Sequence, residues 1–79
     1  MARVLLFGPL RDVAGWRERE LTAASLVELR QLLAAEDPAL GEALAGPGVQ
    51  VALDQALVRG DAALSASAEV AFLSPMSGG

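Results

Sequence analysis

One stretch of this chain, from Ser25 to Pro38, carries a complete helix signature, and it sits among short apolar runs that cannot be helices of similar length. Ser25-Leu26-Val27-Glu28 matches the capping box, in which a serine oxygen accepts a helix-terminal N–H and a glutamate three residues on reaches back. Leu26, Leu29, Leu32 and Leu33 then recur at helical spacing as one apolar stripe, with Glu28, Arg30, Gln31 and Glu36 on the wet side. Asp37-Pro38 ends the run, because the residue before a proline is pushed out of the helical region. A single amphipathic helix must bury its stripe against another layer, and the remaining pattern offers only a sheet.

Val4-Leu5-Leu6-Phe7 reads as a buried first strand, closed by Gly8-Pro9. Leu10 to Ala14 makes a helical turn with Leu10, Val13 and Ala14 on one side, and Gly15 ends it. Trp16 to Leu21 alternates charges and forms a second strand, hairpin-paired to the first and solvated on one face. After the main helix, Pro38 to Leu44 gives a short helix with proline in its first turn, closed by Gly46-Pro47-Gly48. Val49 to Leu53 alternates as a half-buried strand, Asp54-Gln55 turns the chain into a short strand Ala56 to Arg59, and Gly60-Asp61 turns it again. Glu69 to Leu73 is the last strand, with Val70 and Phe72 on one face and Ala71 and Leu73 on the other.

This order predicts an α+β roll in which a mixed sheet packs on one main helix, the β-grasp or ubiquitin-like fold. With no repeat and no linker, residues 1–79 read as one domain, residues 74–79 being an extended, flexible C-terminal Gly-Gly tail. The core must come from leucines, valines, Phe7, Phe72 and Trp16, since much of the 53% hydrophobic content is alanine. Such a core is small for a chain of 79 residues without cysteine.

Composition excludes several functions. The chain has no Cys, no His and no lysine, so soft metal ligands, thiol nucleophiles and imidazole or amine bases are missing. No metal site is expected, and self-contained catalysis is argued against. A formal net charge of −4 with scattered arginines argues against nucleic acid and would suit a basic partner surface. No stretch is long and apolar enough to span a bilayer, and Met1-Ala2-Arg3 runs straight into a strand without a signal-peptide cleavage site, which reads as a soluble, cytoplasmic protein.

The closing segment Ser74-Pro75-Met76-Ser77-Gly78-Gly79 puts a carboxylate on a residue with no side chain to obstruct a narrow channel. Together with Val4 to Gly15 and Val51 to Gln55, the segment Glu69 to Gly79 resembles the small subunit of molybdopterin synthase, the MoaD-type sulfur carrier of the ubiquitin-like superfamily. The resemblance runs end to end, and its most specific part is the terminal double glycine.

The resemblance implies a non-catalytic subunit of a heteromeric sulfurtransferase. A ubiquitin-activating-like, MoeB-type adenylyltransferase would use ATP to convert the Gly79 carboxylate to an acyl adenylate. Sulfur from a sulfurtransferase or cysteine desulfurase would then displace AMP to give a thiocarboxylate. The MoaE-type large subunit would pass that sulfur to cyclic pyranopterin monophosphate in molybdenum cofactor biosynthesis. Gly78 would let the tail thread in, no cofactor would be held permanently, and Phe72, Leu73, Pro75, Met76 and Arg11 are the expected partner contacts. Leu73 and Met76, with an exposed sheet face, are candidates for the apolar anchor, while Arg11 is open between a salt bridge to Asp12 or Glu18 and a partner contact. Ser74 stands where the family often has a further proline, and Asp54 where related chains often have asparagine. Alternative readings are a carrier for thiamine thiazole synthesis or tRNA thiolation, a modifier joined to lysines of other proteins, and a noncovalent β-grasp interaction module.

Overall fold

The computed structural model describes residues 1–74. In chain order these form β1 (Ala2–Leu6), α1 (Pro9–Ala14), β2 (Glu18–Leu21), α2 (Leu26–Glu36), α3 (Pro38–Leu44), β3 (Gln50–Leu53), β4 (Ala56–Val58) and β5 (Glu69–Leu73). The strands make one five-stranded sheet in the order β2-β1-β5-β3-β4. β1 runs parallel to β5 and antiparallel to β2, and β3 is antiparallel to both β4 and β5. This mixed sheet on one main helix is the β-grasp fold, with the last strand at its centre. Among the described residues no helix is long and apolar enough to cross a membrane.

The core lies on one face of the sheet. Leu26, Leu29 and Leu33 of α2, Leu40 and Leu44 of α3 and Leu10 of α1 close over Val4, Leu6, Val51, Val70 and Phe72. Burying a side chain of this size contributes roughly 1.5–3 kcal/mol, so this cluster is the main stabilising element of so short a chain.

Sequence expectation and structure part at four apolar positions. Phe7 lies past the end of β1, turned out of the core and 47% exposed, because Gly8 at φ 60° already bends the chain toward α1. Val13 and Leu32 fall beside rather than on their helical stripes and are exposed. Trp16 packs only against the margin of the core. α1 and α3 supply buried core residues instead, Leu10, Leu40 and Leu44.

The first three backbone donors of α2 all find acceptors. Glu28 N–H donates to Ser25 Oγ at 3.2 Å, Leu26 N–H to the Ala62 carbonyl at 3.0 Å, and Val27 N–H to Asp61 Oδ1 at 2.9 Å. Glu28 reaches back to the N–H of Ala24, one residue before the capping serine. The helix start is therefore clamped by the loop between β4 and β5 as well as by its own cap. Asp37 closes α2 and opens α3, its Oδ1 accepting from Leu40 N–H at 3.2 Å.

Candidate functional site

Strand pairing sets out the open face of the sheet, opposite the helices, as rows across the strands. Nearest the start of β5, Glu20 pairs with Arg3 and Arg3 with Glu69. Arg3 bridges Glu69 at 3.4 Å and, from the neighbouring row, Glu18 at 3.3 Å, so the one cation of this row is matched, while Glu20 is in none of the ion pairs among the described residues. The next row is Leu5, Ala71, Ala52 and Leu57, apolar across four strands. Leu57 at its edge is 63% exposed, while Leu5 and Ala71 are half-buried. Where β5 ends, Leu73 pairs with Gln50, and Phe7 N–H donates to the Phe72 carbonyl at 3.3 Å. Exposed Phe7, half-buried Leu73 and the Leu5 to Leu57 row thus form one apolar strip running to the root of the C-terminal segment.

Asp54 anchors the other end of this face. Asp54 and Gln55 both have positive φ, 50° and 73°, as a two-residue hairpin turn between β3 and β4 requires. Asp54 N–H donates to the Glu69 carbonyl at 2.8 Å and Asp54 Oδ1 accepts from Glu69 N–H at 2.9 Å. The side chain therefore latches the turn to the first residue of β5, a role asparagine could also fill through its carbonyl oxygen.

The expected contact residues separate. Phe72 is corrected: it is 0% exposed and belongs to the core, because its side chain alternates to the helix face with Val70. It acts from within, holding the strand whose next residue, Leu73, begins the exit. The Arg30 guanidinium carbon lies 5.4 Å from the centre of the Phe72 ring, and Arg30 Nη1 donates to the Leu44 carbonyl at 3.3 Å. Leu73 is half-buried at the sheet end. Arg11 is exposed on α1, and among the described residues it has neither of the ion pairs considered for it, since Glu18 is taken by Arg3. Pro75, Met76, Gly78 and Gly79 lie outside the described residues. Among the described residues no group of acidic side chains is arranged to hold a metal ion.

Arg11 and Arg17 line one groove together with Leu5, Leu6, Phe7 and Glu18. Arg30 and Arg59 line another with Val49, Gln50, Val51 and Leu57. Neither arginine pair was singled out by sequence spacing, because the two members of each meet only through the fold. Away from the exit, Arg19 makes a bidentate pair with Glu36 and stands 5.1 Å from the Trp16 ring centre.

No curated protein matches the chain. Its structure is similar to small archaeal modifier protein 1 from Haloferax volcanii, with a TM-score of 0.87 and 25% identity over 99% of this chain and 98% of that one. Small archaeal modifier protein 1 from Methanosarcina acetivorans shares the fold, with a TM-score of 0.86 and 24% identity over 99% and 95%. Residues 4–79 match the ThiS family, covering all of the sheet beyond the first residues of β1. The chain therefore belongs to the ThiS family of ubiquitin-like sulfur carriers.

Proposed function

We propose that this chain is the sulfur-carrier subunit of a molybdopterin synthase. The reach of the family match through Gly79 supports a sulfur carrier, and the choice of molybdopterin synthase rests on the resemblance carried by Val4 to Gly15, Val51 to Gln55 and Glu69 to Gly79. The Gly79 carboxylate attacks the α-phosphate of ATP on an adenylating enzyme and releases pyrophosphate. A sulfide-level sulfur then attacks the carbonyl carbon and expels AMP, leaving a thiocarboxylate. Carboxylate oxygen leaves poorly at neutral pH, whereas AMP leaves readily, so activation must precede sulfur transfer.

The carrier's own contribution is presentation. β5 is the central strand, held by β1 on one side and β3 on the other, so the root of the tail is fixed by the sheet. Ordering about five residues in a partner costs roughly 5–10 kcal/mol. Contacts on the apolar strip of Phe7, Leu73, Leu5 and Leu57, with Arg11 beside it, would offset that cost; Pro75, Met76 and Gly78 would enter the partner's channel with Gly79 at its end.

The test is reconstitution with the large synthase subunit and cyclic pyranopterin monophosphate. The thiocarboxylate form should convert the precursor, and the chain lacking Gly79 should not. Supply of sulfur to thiazole synthase together with failure on the pyranopterin would move the protein to the thiamine pathway.

A second reading is a protein modifier, favoured by the likeness to small archaeal modifier protein 1 from Haloferax volcanii at 25% identity. It predicts conjugates of higher mass that vanish when Gly79 is removed.

A further inference from the structure

The chain has six positively charged side chains, all arginines, and a formal net charge of −4. Among the described residues Arg3 and Arg19 make the ion pairs, with Glu18, Glu69 and Glu36. The other arginines are Arg11, Arg17, Arg30 and Arg59, and the fold sets them in two grooves, one on each side of β5. Leu6 N–H donates to the Arg17 carbonyl at 2.9 Å, and Leu6 is in register with Phe72. Arg11 shares with Arg17 both the groove against Leu5, Leu6 and Phe7 and a shallower one with Asp12, Gly15 and Trp16. Across β5, the groove of Arg30 and Arg59 includes Gln50, the register partner of Leu73. The last two residues of β5 are therefore flanked by an arginine pair on each side.

The acidic side chains in these grooves are Asp12 and Glu18, and Glu18 is already matched by Arg3. Arg30 is half-buried and engaged with Phe72 and the Leu44 carbonyl, which leaves Arg11, Arg17 and Arg59 exposed to meet a partner. Among the described residues, the exposed arginines that make no ion pair are gathered around the root of the tail in a chain that is acidic as a whole.

We infer that Arg11 and Arg17 on one side, and Arg59 on the other, form a two-sided electrostatic collar that docks on a carboxylate-bearing protein surface around the channel that receives the C-terminus. The inference rests on the reading that a protein partner takes this tail, and it specifies that partner's chemistry. It reverses what net charge implied, since the acidic total would select a basic surface while the local field at the tail root selects an acidic one. Charges at the rim of an interface act mainly on encounter and register, so the collar aligns the tail before the apolar strip seats.

The experiment is ATP–pyrophosphate exchange by the adenylating enzyme encoded in the same genome, with intact carrier as the varied substrate. Arg11→Glu with Arg17→Glu, and separately Arg59→Glu, should each raise the KM for the carrier about tenfold at low salt, and added salt should raise the KM of the wild type. Lysine replacements at the same positions should retain most of the affinity, and Gln31→Glu on the exposed side of α2 should leave it unaltered. Circular dichroism and thermal melts confirm that the variants are folded. Folded reversals with unchanged KM overturn the collar while the carrier reading stands. A wild-type chain that is not a substrate at all sinks both. Titration of the carrier alone with sodium phosphate supplies the remaining arm: shifts of the Arg11, Arg17 and Arg59 amides combined with silent reversals would mark a small-anion site, and would also overturn the proposal.

Discussion

Asp61 Oδ1 accepts the backbone N–H of Val27 at 2.9 Å, so the loop between β4 and β5 supplies a cap to the main helix. The same oxygen accepts Ala62 N–H at 2.9 Å, and Leu64 N–H donates to the Ala24 carbonyl at 2.9 Å. Without Asp61, Val27 N–H loses its protein acceptor while its neighbours keep theirs. Asp61→Ala is expected to lower stability by about 1–2 kcal/mol, the usual effect of deleting a helix cap, and Asp61→Asn by less because an acceptor oxygen remains. Urea unfolding followed by circular dichroism measures both; equal midpoints for Asp61→Ala and wild type would remove the cap from the account.

Gly41 packs against α2 so closely that an added Cβ would stand 2.5 Å from Ala34 Cβ and 2.7 Å from Ala34 Cα. One of those atoms is backbone, so rotamer change cannot relieve the overlap. Gly41→Ala should cost about 1–3 kcal/mol despite the better helix propensity of alanine. Adding Ala34→Gly should recover only part of the loss, since the overlap with the backbone of residue 34 persists. Full additivity of the two changes in a double-mutant cycle would show that the helices do not approach as described.

The β3–β4 turn holds two non-glycine residues at positive φ. Gln55→Gly relieves the strain at φ 73° and should stabilise the fold by about 0.5–1 kcal/mol. Asp54→Asn should fall within about 0.5 kcal/mol of wild type, because asparagine tolerates this backbone and keeps an oxygen for Glu69 N–H, whereas Asp54→Ala should cost about 1–2 kcal/mol. Thermal melts of the three variants give the ranking directly.

Hydrogen bonds from Arg19, assisted by its charge, hold the Glu36 carboxyl below the ordinary glutamate range and raise the Arg19 pKa. A depressed folded-state pKa means that the pair stabilises the fold above the ordinary glutamate range and loses that contribution as pH falls through the folded value. Wild type should therefore lose stability relative to Glu36→Gln only on acidification below that range, and the difference should be constant from mildly acidic to neutral pH. The pair is exposed, so the effect is small and salt should diminish it. A stability advantage of wild type over Glu36→Gln that grows on acidification would have the wrong sign.

The element order, the hairpin turn, the helix start at Ser25, the helix end at Asp37-Pro38 and the alternation of β5 were all legible in the sequence, because each rests on local chemistry or on a short period. Val13 and Leu32 were misplaced because each is apolar and next to a real helical stripe, and Phe7 because β1 ends at Leu6 and the chain bends at Gly8. Phe72 was expected both in the core and among the partner contacts, and its alternation with Val70 puts it in the core. The Asp61 cap and the Asp54 latch join residues far apart in the chain, and nothing in local spacing marks them. The arginine collar was invisible for the same reason, as scattered charges come to flank β5 only once β1, β3 and β5 are paired.

The central claim is that Gly79 is an acyl group to be loaded with sulfur. Its most direct test is the intact mass of the purified chain after incubation with its adenylating enzyme, ATP and a sulfur donor. The account predicts a gain equal to the exchange of one oxygen for one sulfur, absent when ATP is withheld or Gly79 is deleted. An unchanged mass, with an enzyme shown to be competent on another carrier, would contradict it.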